Sequence, residues 1–119
     1  MRKRVRPTAD QKAIIRRIKK ALLPLLPPRF RKIRVEVCRA IGDNAGVVWE
    51  RRDRSKGLVL QVLGTTDDIT FEDTLVHEFA HVLTWGMKKE PEGDHGPIWG
   101  ICYARLYRHL YEPRPRRRP

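Results

Sequence analysis

Apolar residues recur at Ile14, Ile15, Ile18, Ala21, Leu22 and Leu25, the spacing of one face of a helix. Thr8 and Gln11 stand ahead of them at the separation of a capping box. Pro24, Pro27 and Pro28 end the segment. The period then changes. Residues 33–39 (IRVEVCR) alternate apolar and polar, the pattern of a half-buried strand. Residues 45–50 (AGVVWE) follow a Gly-Asp-Asn turn, and residues 58–63 (LVLQVL) follow the polar stretch 51–57. The links between these segments are shorter than the dozen or more residues of a parallel crossover, so an antiparallel meander is expected. Thr70 and Asp73 are placed to cap a helix over about residues 71–85, with Gly86 as its stop. Residues 87–94 form a polar loop. Pro97 suits the first position of a third helix that runs to about Tyr111. The expected fold class is α+β: an N-terminal helix, a three-stranded antiparallel sheet, a second helix and a C-terminal helix. It forms one domain over residues 8–112, between a basic flexible arm (1–7) and an Arg/Pro-rich tail (113–119).

Composition adds a charge asymmetry. The chain of 119 residues has 26 Lys+Arg against 14 Asp+Glu, a net charge of +12. Residues 1–39 alone carry 14 basic and 2 acidic residues, and the tail carries four arginines. Residues 40–112 carry 8 basic and 12 acidic residues, net −4. The cationic ends suit DNA or another polyanion. A solvated helix face is the plainer account of Lys12, Arg16, Lys19 and Lys20. No apolar run has the roughly 18 residues of a membrane span. The basic N-terminus lacks the apolar core of a signal peptide, and Cys38 and Cys102 make no disulfide framework. A cytoplasmic protein with no membrane partner is expected.

The acidic middle holds the chemistry. His77-Glu78-Phe79-Ala80-His81 is an H-E-x-x-H motif. Residues i and i+4 share a helix face, so both imidazoles can reach one metal ion. Glu78, offset by one position, can stand beside that metal without binding it, within reach of a water. Zinc accepts three protein ligands of this kind and keeps a position open. Accidental spacing on an amphipathic helix is the competing account. The apolar neighbours Leu75, Val76, Phe79, Ala80, Val82 and Leu83 weigh against it, since polar groups beside a core need partners. His95 is the best third ligand and Asp94 its competitor, with a supporting acceptor the better role for Asp94. Glu90 and Glu92 are weaker candidates, and His109 is expected at the surface.

HEFAHVL followed by DHGPIWG resembles the SprT-like metallopeptidase domain, the group that includes Spartan-type proteases of DNA–protein crosslink repair. A compact, phage-like version of that family would have this length and lack the downstream cysteine-rich ribbon. The resemblance implies a zincin-like fold, Zn2+ on His77, His81 and His95, and Glu78 as general base. It implies a metalloendopeptidase acting on a protein or peptide, including DNA-associated ones, with the peptide paired to a sheet edge. By position that edge strand would be residues 58–63. Tyr103 or Tyr107 could stabilise an oxyanion, although a core or rim role suits both better. Trp49, Trp85 and Trp99 are expected in the core, with Trp99 under the metal loop. An alternative from another class is a nucleic-acid-binding protein with a structural or inactive metal site. Peptide deformylases also pair HExxH with an upstream cysteine, but the residues around Cys38 do not resemble theirs, and His95 would have no role.

Overall fold

A computed structural model describes residues 4–53, 56–85 and 95–112. The tail, the expected helix stop Gly86, residues 87–94 where a polar loop with Glu90, Glu92 and Asp94 is expected, residues 54–55, and the first three residues of the arm lie outside the described residues.

Helix α1 (Ala9–Leu22) opens on the expected box. The Thr8 hydroxyl accepts from the Gln11 N–H and the Gln11 side chain accepts from the Thr8 N–H, each at 3.0 Å. Gln11 is buried and also donates to the Gly64 carbonyl at 3.0 Å. One side chain thus caps the helix and pins it to the end of a strand. Ile18 and Leu22 are fully buried on the inner face. Two short 3-10 turns, Leu23–Leu25 and Pro28–Phe30, carry the proline-rich link to the sheet.

The sheet contains β1 (Ile33–Cys38), β2 (Gly46–Glu50) and β3 (Leu58–Leu63), in the order β1-β3-β2. β2 pairs antiparallel with β3, but β1 pairs parallel with it, so the sheet is mixed and not the expected antiparallel meander. The short links between neighbours in sequence do not constrain β1 and β3. Those two are joined by residues 39–57, a connection long enough for a parallel crossover, with β2 carried inside it. The same order corrects the expected substrate edge. β3 is the central strand, and its burial from Leu58 through Val62 is what a strand covered on both faces shows. The edges are β1 and β2. Arg4 bridges Cys38, and the Val5 N–H reaches the Val37 carbonyl at 2.8 Å, so the β1 edge is partly covered. Among the described residues no strand pairs with the outer edge of β2.

Helix α2 (Asp68–Leu83) begins three residues before the expected start. Its cap is Asp67, whose carboxylate accepts from the Thr70 N–H at 2.8 Å. That bond holds the Asp67 carboxyl below its usual value. Asp73 is therefore inside the helix and free for another role. Helix α3 (Pro97–Tyr111) starts and ends where the sequence places it. The core gathers Ile18 and Leu22 of α1, Val37, Leu60 and Val62 of the sheet, Phe71, Leu75 and Phe79 of α2, and Leu106 of α3. No helix among the described residues is long and apolar enough to cross a membrane.

Candidate metal centre

α2 faces two ways at its middle. Leu75, Val76, Phe79, Ala80, Val82 and Leu83 are buried in the core, while His77 and His81, one turn apart, meet α3 at its N-terminal end. The approach of α3 brings in His95, two residues ahead of Pro97. His95 Nε2 lies 3.1 Å from Nε2 of His77 and 3.1 Å from Nε2 of His81. Ligand atoms of the three residues all lie within 4.8 Å of one another. A neutral imidazole carries one ring hydrogen, so one His95 nitrogen cannot donate well to both partners. The three rings instead present a convergent set of nitrogens that could hold a metal ion. Two nitrogens bound to one tetrahedral zinc at about 2.0–2.1 Å stand roughly 3.3 Å apart, close to the two separations from His95. Burial, then the neighbouring His95 charge, pushes the His77 pKa down, partly opposed by Asp73. A neutral ring is the form that ligates.

Trp99, in the first turn of α3, packs against the whole set. Its ring centroid is 4.8 Å from His77, 5.4 Å from His81 and 4.8 Å from His95. Trp99 is expected in the core under the metal loop; it is partly buried against the core, the loop lies outside the described residues, and its ring instead contacts all three histidines. Tyr103 stacks on Trp99 at 5.1 Å, and its hydroxyl donates to Asp73 Oδ1 at 2.9 Å. Burial first, then the bond to Asp73, pushes Tyr103 up to about 12. Its proton is committed to Asp73, and Tyr107 is 46% exposed on the next turn.

Glu78 is the third part of the site. Only 6% of it is exposed, and burial pushes its carboxyl up to about 7. Its Oε2 is 3.9 Å from His77 Nε2. The wall behind it is Gly46, the first residue of β2. A Cβ at that position would lie 2.7 Å from Glu78 Cγ and 3.0 Å from Oε2. Neither Gly46 nor the Asp73 anchor stands out in the sequence reasoning. A glycine at a strand start can mark close backbone approach, and Asp73 lies at i−4 from His77, on the same helix face. His109 is exposed, as expected, and Cys38 is fully buried in β1 outside the histidine group.

An HExxH helix met by a third histidine just ahead of the next helix, on an α+β frame, defines a metallopeptidase-like protein with a potential metal centre. The chain belongs to the SprT-like family, whose model matches residues 13–117. Comparison with curated proteins and with solved structures gives no match.

Proposed function

We propose that the chain is a zinc-dependent endopeptidase in which His77, His81 and His95 hold the metal and Glu78 is the general base. The observation that carries this reading is the buried Glu78 carboxyl beside three convergent imidazoles. When bound, zinc supplies Lewis acidity toward a carbonyl and lowers the pKa of a water. The chain's own residues do the rest. A carboxyl raised to about 7 by burial can take a proton from water at neutral pH and return it to the departing amine. Gly46 bounds the space in which that carboxyl stands, and Trp99 packs against all three rings.

The substrate path in this reading follows β2. The Leu63 N–H reaches the Ala45 carbonyl at 2.8 Å. The alternation of antiparallel pairing then turns the backbone groups of Gly46 and Val48 away from β3. An extended peptide added there would make backbone hydrogen bonds, the sequence-tolerant mode of strand addition. It would also lie against the residue that touches Glu78. The test is Glu78→Gln. The variant is expected to keep its zinc, by metal analysis, and to lose peptide cleavage. Cleavage equal to that of the parent rejects the mechanism.

A polyanion partner such as DNA is the second part of the proposal. Lys12, Arg16 and Lys20 are exposed at successive i, i+4 positions of α1 and make no ion pair among the described residues. Like charges at that spacing repel, and a row of phosphates would relieve this. Binding should then weaken with salt, with a log–log slope of roughly −0.9 per neutralised phosphate. Salt-insensitive binding, or none, removes this partner.

A further inference from the structure

On the far side of Tyr103 from the histidines, the start of α2 and the end of α3 leave a groove of about 430 Å³. One wall is apolar and aromatic. Ile69 is 84% exposed, Tyr107 46% and Tyr111 39%, three of the five exposed large hydrophobic residues described. The Tyr107 and Tyr111 rings are 4.7 Å apart and continue the row that starts at Tyr103. The other wall is anionic: Asp68, Glu72 and Asp73 all line the groove. Glu72 is held by Arg17 and the Tyr111 hydroxyl. Asp73 accepts from Tyr103, and Asp68 makes no ion pair among the described residues. A carboxylate has about four acceptor sites, so Asp68 and Asp73 retain capacity.

The two walls together select an occupant. An anion is repelled, and a plain hydrocarbon would take the carboxylates out of water without a partner. A cation on a long apolar stem matches both walls. Its stem would lie along Ile69 and Tyr107, with its head at Asp68 or over a tyrosine face. The position fits the neighbouring site, because Asp73 is one helical turn from His77, a rise of about 6 Å. The complementarity is local: it lies in the net −4 segment of a chain whose total is +12.

We propose that this groove docks a lysine or arginine side chain of the polypeptide substrate, a few residues from the scissile bond. This subsite rests on the peptidase reading for its role. The test uses two fluorescent peptides that differ only by Arg in place of Gln. Both are titrated by anisotropy into the full chain, metal-free and with zinc. The Arg peptide should bind roughly three- to tenfold more tightly in both states, the effect of one screened ion pair with a cation–π contact. The exposed double variant Asp68→Asn/Tyr107→Ser, with an unchanged melting temperature, should lose the preference and keep its affinity for the Gln peptide. Equal affinities in the parent, or an undiminished preference in the variant, overturn the proposal. If a chain ending at Glu112 binds the Arg peptide more tightly than the full chain, its own arginines compete for the groove and the assignment to substrate falls. The preference is measured without cleavage. A parent that prefers Arg but cleaves neither peptide with zinc bound therefore removes the peptidase reading separately.

Discussion

Gly46 leaves the space that Glu78 fills. A methyl group on Gly46 would stand 2.7 Å from Glu78 Cγ and 3.0 Å from Thr74 Cγ2, inside any normal contact. The catalytic carboxyl of the proposed mechanism is thus positioned by an edge strand as well as by its own helix. Gly46→Ala should move Glu78 while leaving His77, His81 and His95 in place. Zinc content should be unchanged and peptide cleavage should fall about a hundredfold, the effect of a displacement near 1 Å. Metal analysis beside a cleavage assay separates the two. Full activity in the variant would mean that Glu78 does not depend on this wall.

His95 differs from the other two histidines in how it is held. His77 and His81 are fixed by the turn of one helix, whereas His95 precedes Pro97 at the entry to α3. His95→Ala should therefore leave the fold intact and weaken zinc binding by more than about 100-fold, beyond the loss seen when an outer partner of a ligand is removed. Zinc at a hundredfold excess over its Kd should stabilise the parent by about 2.7 kcal/mol and the variant by little. Thermal melts with zinc and with chelator measure both. An equal zinc-dependent rise in Tm would remove His95 from the ligand set.

What was legible in the sequence divides along the distance over which each feature is determined. The HExxH pair is local, because helix geometry alone places His77 over His81. The capping box of Thr8 and Gln11 and the Pro97 start of α3 are equally local, and all three stand as expected. The cap of α2 is local but degenerate. Residues 65–70 (TTDDIT) hold several capping side chains, and only packing selects Asp67. Strand order is not local. The link lengths suggested neighbours in sequence pairing in turn, but the nearly unbroken apolar run of residues 58–63 was the better guide, because a central strand needs apolar residues on both faces. Gly46 against Glu78 and Tyr103 against Asp73 are contacts between elements, and no spacing rule along one element reports them.

Phe71 and Ile69 test the reading of α2 as a helix with one buried face at its start. Phe71 is fully buried, while Ile69, two residues earlier, is 84% exposed. Phe71→Ala should cost about 3–5 kcal/mol through lost burial and the cavity left behind. Ile69→Ala should stay within roughly 0.5 kcal/mol of the parent. Urea unfolding followed by circular dichroism measures both. Similar losses would mean that the helix is rotated from the orientation described.

The bond from Tyr103 to Asp73 predicts a difference that depends on pH in a definite direction. The hydroxyl hydrogen is what Asp73 accepts, at 2.9 Å, so the interaction exists only while Tyr103 is protonated. Burial and that bond raise the folded-state value from 10.0 to about 12. A group whose pKa is raised on folding adds stability that is fully present below its unfolded value and disappears as pH passes its folded value. Tyr103→Phe keeps the ring on Trp99 and removes only the hydroxyl. The variant should be less stable than the parent by about 1 kcal/mol at neutral pH. The gap should hold constant up to about pH 10, then shrink and reverse sign before about pH 12, because ionisation of the unfolded tyrosine penalises only the parent. Urea titrations of parent and variant at a series of pH values measure the gap. A gap that persists unchanged above pH 12 would place the effect in ring packing, and no gap at neutral pH would mean that water replaces the Tyr103 hydroxyl at Asp73 without loss.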